Sequence, residues 1–188
     1  MKYKLIACIN SAGAIGRDGN LMYNIKSDLR NFRSQTMGNV VIMGRKTFES
    51  LPNGKPLAGR VNIILTSDRE YSVPVTDDDL YIVHSIADAD ELCEAFFSDR
   101  ELFVIGGGEV YRDFLDNGMV DEMRISSVKD DAEGDTYFPY GVEDLLRSGD
   151  WRTYYKSMAQ VTNFNGVENT YHFLVLKRTY NGNAEQDN

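Results

Sequence analysis

The sequence has few cysteines, no long apolar run and no excess of positive charge. Its two cysteines, Cys8 and Cys93, lack the CxxC or His-rich spacing of a metal site, so we expect two buried free thiols. The first ten residues hold only a brief apolar stretch, too short for a signal peptide or a membrane span. We therefore expect a cytoplasmic protein that does not associate with membranes.

The net charge of -9 argues against general binding of nucleic acid or of anionic membranes. It still permits a local basic pocket for an anionic ligand. No internal repeat, low-complexity block or linker divides the 188 residues, and 42% of them are apolar. We expect one domain over residues 1–180, a disordered polar tail over residues 181–188, and a monomer.

Apolar strand-like runs alternate with helix-like patterns, which is typical of an α/β fold. The predicted strands cover residues 3–10, 40–43, 60–66, 80–83, 101–105 and 120–128, and two closing strands cover residues 151–158 and 170–177. The predicted helices cover residues 27–36, 48–51, 85–98 and 109–117. Residues 11–20 and 130–139 are predicted as loops. The result is a mostly parallel central sheet flanked by helices, with an antiparallel C-terminal edge.

Three predicted strand ends carry groups that suit a phosphate ligand, and ligands of open α/β sheets bind beyond such ends. They are Gly44 to Thr47 (GRKT), Thr66-Ser67 and Gly106 to Gly108 (GGG). Arg45 and Ser67 together would suit a 2′-phosphate, which favours NADP over NAD. Taken singly, the basic segment is equally well explained as a solvated turn, and the glycines as a tight strand-to-helix turn.

Two further charges have two interpretations each. Asp28 lies at the start of a predicted helix, beside the inward-facing Leu29 and Phe32, and is either a helix cap or a pocket carboxylate. Arg60 opens a predicted strand and is either a surface charge or a bidentate clamp for a carboxylate.

Seven short motifs, in order, resemble the dihydrofolate reductase family over nearly the whole chain. They are IG at 15–16, DLRNF at 28–32, VIMGRKTFES at 41–50, PLAGR at 56–60, NIILTS at 62–67, IGGGEVY at 105–111 and EGDTYFP at 133–139. The resemblance implies the NADPH-dependent reduction of 7,8-dihydrofolate to 5,6,7,8-tetrahydrofolate, in support of one-carbon metabolism and of thymidylate and purine synthesis. It also implies that antifolate-type ligands bind the site.

On the substrate side, the resemblance makes Asp28 the carboxylate that holds the pterin and favours its protonation, with the proton reaching N5 through water. Ser126 supports this carboxylate, and Arg60 binds the α-carboxylate of the substrate's glutamate. Tyr23 would hold a pocket water with its polar tip. The remaining substrate contacts are Ile6, Ala7, Leu29, Phe32, Leu57, Ile105 and Tyr111.

On the cofactor side, the resemblance assigns Arg45, Thr66 and Ser67 to the adenosine phosphate, and Lys46 and Thr47 to the diphosphate and nicotinamide. The family joins the first two of the three glycines by a cis peptide bond, and residues 11–25 resemble its mobile lid. The other cofactor contacts are Ala7, Ile15, Gly16, Asn20, Gly106, Gly107, Gly108, Val110, Tyr111 and Thr136.

The chain departs from the family pattern at three places. Met22-Tyr23 stands where relatives usually have Pro-Trp, Ala58 replaces a usual proline, and Glu109 stands where some relatives place a base. With Asp28 assigned to the pterin, we expect Asn24 or Ser27 to cap the helix. Two alternatives are a reductase of the same fold that acts on a ribosylated pyrimidine, and a non-catalytic nucleotide-binding subunit.

Overall fold

The computed structural model describes residues 1–74, 79–164 and 167–180. The expected tail over residues 181–188 and the tip of the closing hairpin lie outside this range. The elements in chain order are β1 (Tyr3–Asn10), β2 (Ala14–Arg17), β3 (Asn20–Leu21), α1 (Lys26–Thr36), β4 (Val40–Gly44), α2 (Arg45–Glu49), a 3-10 turn (Pro52–Gly54), β5 (Val61–Leu65), β6 (Leu80–Val83), α3 (Ile86–Phe96), β7 (Leu102–Gly106), α4 (Gly108–Asp116), β8 (Val120–Val128), β9 (Thr136–Tyr137), α5 (Val142–Arg147), β10 (Trp151–Lys156), β11 (Gln160–Phe164) and β12 (Val167–Arg178).

The main sheet of the described residues has the strand order β10-β12-β8-β1-β7-β4-β5-β6, and β11 also pairs with β12. The strands from β8 to β6 are parallel, whereas β12 is antiparallel to β8 and to both β10 and β11. The prediction of a mostly parallel sheet with an antiparallel C-terminal edge is therefore confirmed.

The central strands bury side chains on both faces of the sheet, as parallel strands between helices must. Leu5, Ile42, Ile63, Val104 and Ile125 belong to the larger apolar cluster. Their chain neighbours on the other face, including Ile6, Val41, Ile64 and Phe103, form a second cluster, and Phe32 of α1 packs against it. Because successive side chains of a strand point to opposite faces, the second cluster lies on the face of the sheet that α1 covers.

Two segments predicted as loops contain strands. Residues 11–20 include β2, and β2 pairs with both β3 and β9, which lies in the predicted acidic loop. A Cβ on Gly134 would lie 2.6 Å from the carbonyl oxygen of Gly16, so the close approach of these backbones requires glycine. Glycine at this position therefore allows the two segments to meet.

The C-terminal region also differs from the prediction. Three strands stand where two closing strands were expected. The strand predicted over residues 151–158 ends at Lys156, and a separate strand, β11, follows it. The short α5 was not predicted, since six residues give too little periodicity to recognise. Cys93 is a buried free thiol as expected, whereas Cys8 is a free thiol with partial exposure. Over the described ranges, the helices are all too short or too polar to span a membrane.

Helix α1 begins at Lys26, and its N-cap residue, Ile25, makes no side-chain capping hydrogen bond. The expectation of a cap at Asn24 or Ser27 is therefore wrong. Ser27 lies inside the first turn, and its hydroxyl is 2.7 Å from that of Tyr171 on β12. The Ser27 hydroxyl, which the local sequence predicts as a possible cap, therefore makes a tertiary contact instead.

Candidate active site

The carboxyl ends of β4, β5 and β7 open into a cleft of about 1040 Å³. All three predicted phosphate-binding strand ends reach it, together with the β2–β3 segment. The predicted cofactor residues that line it are Ile15, Gly16, Asn20, Arg45, Lys46, Thr47, Thr66, Ser67, Gly107, Gly108, Val110, Tyr111 and Thr136. Ala7 and Gly106 do not line it, but each directly precedes a residue that does, Cys8 and Gly107.

Glycines bring three segments of the chain together at one wall of this cleft. The Gly106–Gly107 peptide bond is cis, as the resemblance predicted. A Cβ on Gly44 would lie 3.1 Å from Val110 Cγ2, and one on Gly108 would lie 2.4 Å from the carbonyl oxygen of Tyr137. Because such distances leave no room for a side chain, the backbone of the β7–α4 turn lies at the surface of the cleft.

The far end of the cleft combines a cation with hydroxyl groups. The Arg45 guanidinium lies 3.3 Å from a carboxylate oxygen of Glu49 and stacks over the Tyr71 ring at 5.7 Å. His84 also lines the cleft, and its Nδ1 is 2.9 Å from the carbonyl oxygen of Thr66. His84 was not predicted from the sequence, although its place just after β6, beside Thr66-Ser67 on the neighbouring strand, was a usable signal. Together, the Arg45 guanidinium and the hydroxyls at this end of the cleft suit an anionic ligand.

Asp28 lies on the first turn of α1 and accepts a hydrogen bond from the hydroxyl of Ser126 on β8. Burial raises the pKa of Asp28, and the Ser126 hydrogen bond only partly opposes this. No ion pair identified in residues 1–74, 79–164 and 167–180 includes Asp28. A carboxylate in this setting favours a ligand that donates hydrogen bonds or carries positive charge.

An apolar wall adjoins Asp28 on the α1 side of the sheet. Four of the predicted substrate residues, Ile6, Phe32, Leu57 and Ile105, pack in the same cluster. Leu51 packs there too and was missed, although its spacing of three from Phe48 on a helical turn indicated a shared face. Leu29 is partly buried, whereas Ala7 packs in the larger cluster on the opposite face.

Arg60 is buried, with 7% exposure, so the surface-charge interpretation is wrong. Its Nε and one terminal nitrogen donate to the carbonyl oxygen of Ala58, and the other terminal nitrogen donates to Thr36 Oγ1 at 3.3 Å. Its guanidinium lies 5.9 Å from the centroid of the Phe32 ring. Burial, with Arg33 nearby, lowers its pKa. This arrangement holds a cation at the edge of the apolar wall.

Tyr23 is buried, and its hydroxyl donates to Asp130 in the segment after β8. Burial and this hydrogen bond raise its pKa. The contact connects residues 11–25 to the sheet, and Asn10 adds to it by donating to the carbonyl oxygen of Ala132 and accepting from the amide of Ala14. Neither this contact nor the lining of the cleft places Tyr23 beside Asp28, so its catalytic role stays a prediction.

Residues 11–25 lie against the cleft through β2. The backbone N–H of Asp18 donates to Asp135 Oδ2 at 2.6 Å, and the N–H of Asp135 donates to the carbonyl oxygen of Gly16 at 3.0 Å. Accepting the Asp18 amide lowers the pKa of Asp135. Tyr111, which also lines the cleft, donates its hydroxyl to the carbonyl oxygen of Ile6 at 2.8 Å. These bonds connect segments that line the cleft to one another and to β1.

Comparisons with known proteins agree with this site. A family model described as dihydrofolate reductase matches residues 2–178. A dihydrofolate reductase of Staphylococcus haemolyticus is 34% identical over 81% of this chain and 82% of its own. One of Staphylococcus aureus is 32% identical over 87% of this chain and 91% of its own.

Two further matches extend the comparison. A bifunctional dihydrofolate reductase-thymidylate synthase of Daucus carota is 32% identical over 97% of this chain but only 35% of its own length. The solved dihydrofolate reductase of Enterococcus faecalis, complexed with NADP(H) and RAB-propyl, superposes with a TM-score of 0.77 at 23% identity. That match covers 95% of this chain and 97% of the other.

Proposed function

The chain belongs to the dihydrofolate reductase family, and from that premise we propose how its residues support the NADPH-dependent reduction of 7,8-dihydrofolate to 5,6,7,8-tetrahydrofolate. The observation that carries the proposal is the partly buried carboxylate of Asp28, without an ion-pair partner in the described ranges, at the edge of an apolar wall. The product serves one-carbon metabolism, which supports thymidylate and purine synthesis.

The residues of the large cleft fit NADPH, which supplies a hydride when bound. Arg45, Thr66 and Ser67 bind the 2′-phosphate, since a guanidinium and two hydroxyls provide charge-assisted donors at one end of the cleft. Lys46 and Thr47 bind the diphosphate. The closely packed glycines leave backbone N–H groups near the same anion. The β2–β3 side, with Ile15, Gly16 and Asn20, excludes water from the nicotinamide half.

Asp28 binds the pterin through two hydrogen bonds, one from a ring N–H and one from the exocyclic amino group. Ser126 fixes the orientation of the carboxylate by donating to Oδ1. The negative charge of Asp28 favours the protonated pterin, so that a proton is delivered to N5 through water while C6 is reduced. Arg60 binds the glutamate α-carboxylate, and the apolar wall holds the rings between these two charges.

Replacing Asp28 tests this assignment. Asp28→Asn keeps the size of the side chain but removes the charge, so we expect activity at neutral pH to fall by about 100-fold or more. Loss of NADPH absorbance in the presence of dihydrofolate measures turnover, and a diaminopyrimidine antifolate should abolish the wild-type signal. NADPH affinity should stay near the wild-type value.

Asp99→Asn is the matched control, because Asp99 is exposed in the turn between α3 and β7. It should leave turnover unchanged. Full activity of the Asp28→Asn protein would contradict the role of this carboxylate. Cofactor binding without turnover on any pterin by the unmodified protein would instead favour a non-catalytic nucleotide-binding subunit.

We also propose that the protein acts as a monomer in the cytoplasm and that residues 1–180 form its single domain. The net charge of -9 opposes self-association, and the family match over residues 2–178 spans the proposed domain.

A further inference from the structure

A second cavity, of about 210 Å³, lies between α1 and the C-terminal strands. It shares no lining residue with the large cleft. Of the residues assigned to the substrate, it includes only Asp28 and Ser126. Its full lining is Ser27, Asp28, Asn31, Ser126, Tyr155, Ser157, Gln160, Tyr171 and Phe173.

The helical position of Asp28 places it between this cavity and the apolar wall. At about 100° per residue, Ser27 and Asn31 lie about 40° apart on α1 and both face the second cavity. Asp28 follows at about 100° from Ser27, and Phe32, which packs in the apolar wall, lies about 40° further round. The carboxylate therefore lies at the boundary between the pterin side and the second cavity.

A break in the edge of the sheet opens this cavity outward. β10 ends at Lys156 and β11 begins at Gln160, so the two strands pair with different parts of β12. Between them, Ser157 donates its N–H to the carbonyl oxygen of Phe173 at 2.8 Å, and its hydroxyl accepts from the N–H of Phe173 at 2.9 Å. Phe173 pairs in register with Ser126, the partner of Asp28. The break thus lies in the same row of the sheet as Ser126, which donates to the carboxylate.

The lining of the cavity is polar and hydrogen-bonded from its mouth to the helix. The Tyr171 hydroxyl donates to Gln160 Oε1 at 2.7 Å, which leaves it to accept from the Ser27 hydroxyl at 2.7 Å. Gln160 is exposed, and Tyr155 at the mouth is 51% exposed. A volume of this size corresponds to roughly seven water molecules. The chemistry and the opening therefore suit water.

We propose that this cavity is a second entrance for water to Asp28, through which bulk solvent reaches the pterin-binding carboxylate without crossing the cofactor cleft. Asn31 and Gln160 act as positioning residues that keep the entrance open and polar. The inference rests on the proposed role of Asp28. Its consequence is that Asp28 stays partly hydrated when the cofactor cleft and the pterin side are both filled.

The other titratable groups around Asp28 come from four elements. Cys8 of β1 and Tyr111 of α4 couple to it electrostatically, and burial raises the pKa of both, which keeps them neutral. Tyr171 of β12 and Tyr155 of β10 line the cavity on its other side. With Cys8 and Tyr111 uncharged, access of water is the property that variants of the cavity change most directly.

Filling the cavity from either side tests the entrance. Asn31→Phe acts from the helix and Gln160→Phe from the sheet. On binding, the proton of neutral Asp28 passes to the pterin and leaves the ionised carboxylate beside the protonated ring. Because reduction consumes this proton, we expect kcat/KM to fall as the pH rises through the pKa of Asp28 in the free enzyme. Less water favours the neutral carboxyl, so both variants should move the midpoint of this fall upward by roughly half a pH unit or more. Tyr155→Ser, which widens the mouth, should move it downward.

Matched controls place the same added ring outside the cavity. Ser34→Phe lies on an exposed part of α1, and Val161→Phe follows Gln160 at a position that is 65% exposed. Both should keep the wild-type midpoint. Asn31→Ser, which stays polar and small, should keep the wild-type midpoint as well. If Asn31 had a purely structural role, the Ser and Phe variants would not differ in their pH profiles.

Folded Asn31→Phe and Gln160→Phe proteins with the wild-type midpoint would refute the entrance. Circular dichroism identifies a variant that fails to fold, and the variant on the opposite wall then decides the result. An inactive Asp28→Asn together with unmoved midpoints refutes the entrance alone. An active Asp28→Asn refutes the pterin-binding role itself.

Discussion

Asp28 and Arg60 place opposite, largely buried charges at two edges of one apolar wall, with Phe32 in contact with the Arg60 guanidinium. Each has hydrogen-bond partners, but neither belongs to an ion pair identified among the described residues, so their spacing suits a ligand with hydrogen-bond donors at one end and an anion at the other. Both were singled out from the sequence, where each had two interpretations, and the family resemblance assigned them to a ligand. The contact between Ser27 and Tyr171, which replaces a cap on α1, could not be predicted from the sequence, because the two residues are 144 positions apart.

Arg60 gives a prediction at this scale. Arg60→Lys keeps the charge but loses the planar fork of donors, and Arg60→Ala loses both, so the KM for dihydrofolate should rise by about tenfold or more while kcat changes less. Steady-state kinetics with dihydrofolate and with a pterin that lacks the glutamate would measure this. Only the first substrate should be affected.

Arg69→Ala, at an exposed position after β5, serves as the control for loss of a cation. Equal losses on both substrates would show that Arg60 supports the wall rather than the glutamate. An unchanged KM would also favour the alternative of a reductase that acts on a ribosylated pyrimidine.

Elements differ in how well the sequence predicts them. β1 and β8 match their predicted bounds because eight or nine residues with a steady apolar pattern define a strand. β3 and β9 are two residues long and have no period to detect. They exist because Gly16, Gly108 and Gly134 let three backbone segments approach one another, which is a tertiary property.

Gly108 tests this close packing. A Cβ there would lie 2.4 Å from the carbonyl oxygen of Tyr137, so in Gly108→Ala the β9 strand must shift, and β2 is paired with it. We expect a stability loss of about 1–3 kcal/mol and a weaker affinity for NADPH. Thermal unfolding and cofactor titration measure the two effects. Glu91→Ala, at an exposed position of α3 that does not line the cleft, should show neither loss, and equal behaviour of the two variants would contradict the packing argument.

The whole molecule combines an acidic surface with an apolar edge. Tyr154, Tyr155, Met158 and Val161 are all more than half exposed along β10, β11 and their connection. Exposed strand edges invite pairing between copies, but the break between β10 and β11 divides this edge into two short pieces. The net charge of -9 adds repulsion between copies.

We therefore expect a monomer at neutral pH, measured by light scattering after size exclusion. As the pH falls toward the isoelectric point of about 4.7, repulsion disappears and association should begin. A dimer at neutral pH that persists in high salt would contradict this expectation. In that case Met158→Lys, which places a charge on the exposed edge, should dissociate it.

The central place of β1 has a consequence during synthesis of the protein. β1 is among the first residues made, yet its two neighbours in the sheet are β7 and β8, which end at Gly106 and Val128. At a translation rate of roughly 5–20 residues per second, about 6 to 24 seconds separate the completion of β1 from that of β8. Until β7 is complete, one of the most apolar strands of the chain has neither of its partners in the sheet, and until β8 is complete one of its two edges stays unpaired. Yield in the cell should therefore depend on the pace of translation and on chaperones as well as on the stability of the finished fold.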